Sequence, residues 1–293
     1  MRIGIVGYGV VGRHLEQTFA LGDQKVAIYD KYRAGYQSAS CKAEVNGCDL
    51  AFVAVPTPSR EGGGCDISAV EEVVSWLEPP MCVKSTVPPG TTAKLVADSG
   101  KRIVFSPEYV GETPFHRSRD WHLPDLVAIG GDREVCTLFV NAFRLVLGPE
   151  PRYFITDATT AELAKYMENC FFATKVAFVA QFSVLADHFG VDFTQMREIW
   201  VADTRVGRSH STIVDRLGFG GRCLPKDLSA IIVSATESGA KAPLLEAVQA
   251  FNRSIRFKED LSAGEPVRKP ESDILEPSAH DDRATASDTI TLY

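Results

Sequence analysis

The first twelve residues constrain this chain more than any other stretch. They read MRIGIVGYGVVG, an apolar run at 2–6 that ends in glycines. Gly7-Tyr8-Gly9-Val10-Val11-Gly12 is a G-x-G-x-x-G pattern placed after an expected strand and at the opening of an expected helix. Gly7 permits a tight turn, Gly9 lets a pyrophosphate approach the backbone, and Gly12 lets the helix sit close to the sheet. Asp30 ends the second apolar run, 18 residues past Gly12. An acid there accepts hydrogen bonds from adenosine ribose hydroxyls and repels a 2′-phosphate, which favours NAD over NADP. Strand, spacing and acid together outweigh the alternative of a plain glycine turn beside a surface aspartate.

The same N-terminus carries one basic residue and an apolar run broken at once by glycines, so it reads as strand and turn, not as a signal peptide. Further short apolar runs follow at 26–30, 50–56, 82–87, 102–107 and 126–131, with amphipathic stretches at 11–21, 66–78, 91–98 and 132–147. Strands alternating with helices predict an α/β fold, a Rossmann-like doubly wound parallel sheet, over residues 1–155. The pattern then changes. Residues 157–189 lack Gly and Pro, with Asp157 or Thr156 to cap the start and Gly190 to end it. A helix of about 33 residues would span about 50 Å. Apolar on much of its surface, it is expected to support a helical domain over 156–256 and to bury one face in a homodimer. Further helices are expected at 192–203, 226–239 and 243–254. From 257 to 293 the chain is polar and rich in Pro, Ser, Asp and Glu, the composition of a disordered tail.

The formal charge of −7 argues against nucleic acid and against an anionic membrane as partner. It leaves room for a phosphorylated ligand bound by local N–H groups. No stretch reads as about 18 uninterrupted apolar residues, since Phe171–Leu185 contains Lys175 and Gln181. A soluble, cytoplasmic protein is the expectation. The seven cysteines form no Cys-x-x-Cys pair, so neither a zinc knuckle nor a disulfide framework is indicated, and no metal is expected.

Candidate chemistry lies at strand ends and in one glycine loop. Thr57, in VAVPTP, and Thr86, in KSTVPPG, fall at the carboxyl edge where dinucleotides lie. Glu108 and Glu112, in SPEYVGE, border the same crevice, and Glu108 is the better candidate for a base. Lys165 and Asn169, four apart, share a helix face and can donate to a developing alkoxide. The strongest segment is GFGGRCLPKD, 218–227. Its glycines let backbone approach a ligand, while Cys223 stands before a helix start where N–H dipoles and Lys226 favour thiolate. Asp227 can orient the thiol or a water.

These stretches, from Met1 to about Arg253, resemble the UDP-glucose/GDP-mannose dehydrogenase family in its own order: GYGVVG, VAVPTP, KSTVPPGTT, FSPEYVGE, AELAKYMENC and GFGGRCLPKD. The resemblance implies an NAD-dependent, four-electron oxidation of a sugar-nucleotide 6-alcohol to a carboxylate. Cys223 would be the nucleophile and Glu108 the base for hydrolysis. Lys165 and Asn169 would stabilise the oxyanion, with Thr86 and Asp227 holding a water. Gly7, Gly9, Val10, Val11, Gly12, Asp30, Thr57, Thr86 and Glu112 would contact NAD. Glu108, Tyr109, Val110, Lys165, Asn169, Arg205, His210, Phe219, Gly220 and Gly221 would contact the substrate.

Three departures stand out. The family usually carries a third, nucleotide-binding domain where this chain enters its polar tail, so the resemblance is to a short form. The stretch between Asp30 and VAVPTP lacks the usual glycine-proline-glutamate loop. The segment before the cysteine reads DTRVGRSHSTIVDRLGFGG, not the common arginine-tyrosine-asparagine form. Two other functions stay open: a 3-hydroxyacid dehydrogenase-like enzyme with Lys165 as proton-transfer group, and a non-catalytic nucleotide-sugar binder.

Overall fold

A computed structural model describes residues 1–22, 24–109, 124–213 and 216–262, with side chains to 256. Seven strands form one sheet: β1 Arg2–Val6, β2 Lys25–Tyr29, β3 Leu50–Val53, β4 Met81–Val83, β5 Ile103–Phe105, β6 Leu126–Gly131 and β7 Arg152–Thr156. Their order is β2-β1-β3-β4-β5-β6-β7. The neighbours of β1 lie on both sides of it, so the chain reverses direction across the sheet there. Sheets of this topology bind dinucleotides in a crevice at that switch point, outside the strand carboxyl ends.

The central strands are buried on both faces, and alternate residues feed two cores. Ile3, Ile5, Phe52, Cys82 and Val104 pack with α1 (Val10–Ala20) and α5 (Arg133–Leu147). Val6, Ala51, Val53, Met81, Val83, Ile103 and Phe105 pack against α2 (Ala39–Asn46), α3 (Ser68–Trp76) and α4 (Thr91–Ser99). Phe52 meets Phe19 and Phe139 with ring centroids 5.2 and 5.3 Å apart, which ties α1 and α5 to the sheet.

The doubly wound reading holds with one correction. β6 runs antiparallel to β5, with β7 parallel to β6, so the sheet is mainly and not wholly parallel. Two elements were not anticipated. α2 carries almost no apolar face, and β7 is a partly exposed edge strand just after Pro151. The strands at 50–56, 82–87 and 102–107 end earlier than predicted, because the Pro- and Thr-bearing residues that follow belong to edge loops.

Beyond the sheet come α6 (Ala158–Phe189), α7 (Phe193–Ala202), α8 (Leu224–Glu237) and α9 (Pro243–Ser262). Asp157 is the N-cap of α6, accepting from Thr160 N at 2.9 Å, and Gly190 closes it at φ 67°. α9 runs past its predicted end into the stretch read as tail; residues 263–293 lie outside the described ones. Contacts divide the chain into a compact unit, Met1–Arg256, and a second, Phe257–Tyr293.

Contrary to the sequence reading, α6 is long and apolar enough, by length and composition, to cross a membrane. The same test passes the core helix of a globular fold, and α6 buries Glu162, Asn169 and Ser183 against the rest of the chain. Its other side carries Leu163, Met167, Phe171, Phe178, Phe182, Leu185 and Phe189, all exposed in a single stripe at helical spacing.

Candidate active site

The glycines of the first turn divide their labour. Gly7 has φ 93°, and a Cβ there would lie 2.4 Å from the Ala54 carbonyl oxygen; one on Gly12 would lie 2.0 Å from that of Gly7. A Cβ on Gly9 meets nothing within 4 Å. The fold therefore forbids side chains at Gly7 and Gly12, while Gly9 leaves an open cradle. Gly9 is also the N-cap of α1 and offers no side chain to its first N–H groups, and Val10 beside it is exposed while Val11 packs inward. Such a helix start fits a pyrophosphate. Asp30 accepts from Tyr8 N at 2.7 Å, Tyr32 N at 2.9 Å and Arg33 N at 3.0 Å. It braces the turn from inside, and a carboxylate has lone pairs left for a ribose hydroxyl.

At the strand ends, the Thr57 hydroxyl donates to the Thr86 carbonyl at 2.8 Å and Ser85 Oγ to the Val55 carbonyl at 2.7 Å. These bonds stitch the VAVPTP and KSTVPPG loops together. Glu108 lies on the β5 side of the crevice, 3.3 Å from Lys84 Nζ and 3.8 Å from His14 Nδ1, and accepts from Tyr109 N at 2.9 Å. Burial pushes its carboxyl up, but Lys84, His14 and the Tyr109 N–H together outweigh that and hold it below the usual carboxylate value. Val110 and Glu112 lie outside the described residues.

On the helical side, Lys165 Nζ donates to Asn169 Oδ1 at 3.3 Å, and Asn169 Nδ2 to Asp227 Oδ2 at 2.5 Å. Lys226 Nζ closes on Asp227 Oδ1 at 2.6 Å. Cys223 is the half-buried N-cap of α8, one turn before Asp227, whose N–H it accepts at 2.9 Å. The Lys165 ammonium stands 5.1 Å from the centre of the Tyr109 ring, so the network reaches the residue next to Glu108.

Glu162 and Asn252 are among the residues that escaped the sequence reading. Glu162, fully buried in α6, accepts from Gly90 N at 2.6 Å and Thr92 N at 2.8 Å, at the start of α4. It lies in the same AELAKYMENC stretch as Lys165, and a glutamate on the apolar side of a helix was the available signal. Asn252 of α9 clamps the glycine loop, accepting from Phe219 N at 2.8 Å and donating to its carbonyl at 2.9 Å. The Phe219 side chain joins Cys170, Ala173, Leu228 and Val248 in an apolar cluster. Gly220 faces the Arg256 guanidinium and Gly221 takes φ 74°.

Arg205 is exposed and paired with Asp203 at 2.6 Å; no described contact carries it to the Lys165–Asp227 network. His210 has φ 56° and stacks on Phe172 at 4.0 Å between ring centres. Among the described residues no group of three or more His, Cys, Asp or Glu stands ready for a metal ion.

The fold defines an α/β dinucleotide-binding chain that also carries a half-buried cysteine at the start of α8. Residues 31–144 match the NAD binding domain of the UDP-glucose/GDP-mannose dehydrogenase family, and residues 159–254 match its central domain. The chain belongs to that family. It is 31% identical over 299 residues to the UDP-glucose 6-dehydrogenase of Pseudomonas aeruginosa, covering 86% of this chain and 65% of that one. It is 31% identical over 232 residues to the UDP-glucose 6-dehydrogenase AglM of Haloferax volcanii, covering 71% and 53%. A solved UDP-glucose dehydrogenase from Pyrobaculum islandicum superposes with a TM-score of 0.76 at 27% identity, covering 90% and 71%. The chain thus spans about half to two thirds of the curated relatives it matches.

Proposed function

We propose that this chain oxidises the C6 alcohol of a sugar nucleotide to the carboxylate, as in UDP-glucose to UDP-glucuronate, in two steps at Cys223. The observation that carries the reading is the chain of hydrogen bonds Lys165–Asn169–Asp227–Lys226, buried at its Asn169–Asp227 link, with Asp227 one helical turn after Cys223. NAD, when bound, supplies the hydride acceptor for both oxidations. Residues 1–155 hold it: Gly7, Gly9, Val10, Val11 and Gly12 at the pyrophosphate, Asp30 at the ribose, and Thr57 and Thr86 further along the crevice.

The residues then divide the work. Lys165 and Asn169 donate to the alkoxide that forms as the alcohol passes its proton to the water held by Thr86 and Asp227, and again to the oxyanion of the adduct. Loss of one such donor costs about 3–4 kcal/mol in comparable sites. The Cys223 thiolate adds to the aldehyde, forming the C–S bond of a thiohemiacetal, and its oxidation leaves a thioester. Covalent capture keeps a reactive aldehyde from escaping. Thr86 and Asp227 hold the water whose proton Glu108 takes as it attacks. Tyr109, Arg205, His210, Phe219, Gly220 and Gly221 surround the substrate; for Phe219 the contribution is its backbone.

The exposed stripe on α6, within the helical domain 156–256, supports a homodimer, since seven large apolar side chains at helical spacing match a self-complementary interface. The enzyme works in the cytoplasm on a soluble nucleotide. A panel of UDP-, GDP- and dTDP-sugars tests the activity. Two NADH per substrate, lost in Cys223→Ala, is the expected result. One NADH per substrate would turn the reading towards a 3-hydroxyacid dehydrogenase-like reaction. NAD binding without turnover of any sugar nucleotide would turn it towards a binding protein.

A further inference from the structure

Lys84 has no part in the reaction just described, yet it is one of the most enclosed charges in the chain. Its side chain is 6% exposed, directly after β4. Its ammonium meets the Pro107 carbonyl at 3.0 Å, Ser106 Oγ at 3.3 Å and Glu108 Oε2 at 3.3 Å. A buried ammonium keeps its charge only with such partners. On the other side of the carboxylate stands His14 of α1, its Nδ1 3.8 Å from Oε1. Glu108 is thus faced by Lys84 after β4, by His14 of α1 and by the N–H of Tyr109. Among the described residues, the Cys82 thiol of β4 and the Tyr109 phenol also lie within electrostatic reach of Glu108, and burial pushes both up to about 12, so both stay neutral.

We propose that Lys84, assisted by His14, is a positioning residue that holds the Glu108 carboxylate charged and in place at the crevice. The inference rests on the reading of Glu108 as the hydrolytic base. In that step the thioester C–S bond breaks as a C–O bond to water forms. The water proton passes to Glu108 and Cys223 departs as thiolate. Only ionised Glu108 can take that proton, so Lys84 extends the step to lower pH without touching substrate.

The first test needs no turnover. The full chain is labelled with carboxyl-13C glutamate, and the Glu108 resonance is assigned by its absence in Glu108→Gln. In Lys84→Met the resonance titrates at higher pH than in the parent, in Lys84→Arg close to it, and in His14→Gln between the two. An unmoved titration in Lys84→Met overturns the proposal. Should Lys84→Met fail to fold by thermal melt, His14→Gln decides in its place, and an unmoved titration there overturns it equally. The second test is rapid-mixing NADH release with the sugar nucleotide that the panel selects. Glu108→Gln gives a burst of two NADH per site and then slow turnover at any pH. Lys84→Met keeps the burst and slows steady turnover about ten-fold more at pH 6 than at pH 8.5. A pH-independent loss, or loss of the burst itself, overturns the proposal. If wild type turns over no sugar nucleotide while the titration moves as expected, the reading of the reaction fails and the placement of Glu108 by Lys84 stands.

Discussion

Asn169 and Asp227 are 58 residues apart in sequence and share a buried hydrogen bond of 2.5 Å that joins α6 to α8. Asp227 is 1% exposed, and Lys226 is its other side-chain partner. Removing the amide leaves a buried carboxylate short of a donor, which costs about 1–3 kcal/mol. Asn169→Ala should lower the urea midpoint accordingly. Asn169→Asp should lower it further, because it sets two carboxylates side by side in a closed site.

The glycines of the first turn should separate folding from cofactor binding. Gly12→Ala forces a methyl to 2.0 Å from the Gly7 carbonyl oxygen, so it should unfold or strongly destabilise the chain. Gly9→Ala meets no atom of the chain and should melt like the parent. It should nonetheless lose NAD affinity by about ten-fold or more, since the methyl fills the cradle at the helix start. Thermal melts and NAD titration by fluorescence check the pair; equal affinity in Gly9→Ala would contradict the assigned cradle.

Thiol labelling should be selective. Burial pushes Cys82 and Cys170 up to about 12 and Cys136 up to about 11, and raises Cys48 and Cys65 as well. The half-buried thiols are Cys223 and Cys41. Iodoacetamide at pH 7.5 should therefore modify these two, and digestion with mass spectrometry should find the other five intact. Sugar nucleotide should protect Cys223 and leave Cys41 unprotected.

Two buried glutamates should tilt stability in opposite directions with pH. Glu108 is held below the usual value of 4.5, so its contribution is present above that pH and is lost as pH falls through the folded value. Glu162 is shifted the other way: burial raises it, and the Thr92 and Gly90 N–H groups offset that only in part. Its contribution is present below 4.5 and is lost as pH rises through the folded value. Urea midpoints from pH 2.5 to 7 should show a flatter acid-side loss in Glu108→Gln. Glu162→Gln should instead steepen the net rise of stability with pH.

Most of this architecture was legible because its signals are local. A glycine pattern after an apolar run, an acid at the next strand end and a helix without Gly or Pro each point to one structure. β7 and α2 escaped because neither has a strong apolar period. The reversal of β6 is a matter of pairing, which no spacing within 126–131 reveals. In the site, Lys165, Asn169 and Asp227 could be expected to meet, since helix spacing and loop position both aimed them at one cleft. Lys84 and Glu162 could not be read in the same way. Their meaning lies in partners 22 or more and 70 or more residues away, and in the strand and helix ends that bring those partners near.

The Glu162 contact has a mechanical side. It fastens α6 near its beginning, one turn before Lys165, by a carboxylate gripping the backbone of another helix. From Phe178 onward the helix turns Phe178, Phe182, Val184, Leu185 and Phe189 outward and is held by small residues such as Val179, Ala180 and Ala186. A rod pinned at one end frays at the other. Amide hydrogens of α6 should exchange slowly around 161–173 and progressively faster towards Gly190 in a dilute, single-chain sample. A second chain laid along the stripe would erase that gradient, so the exchange profile of one helix also reports on association.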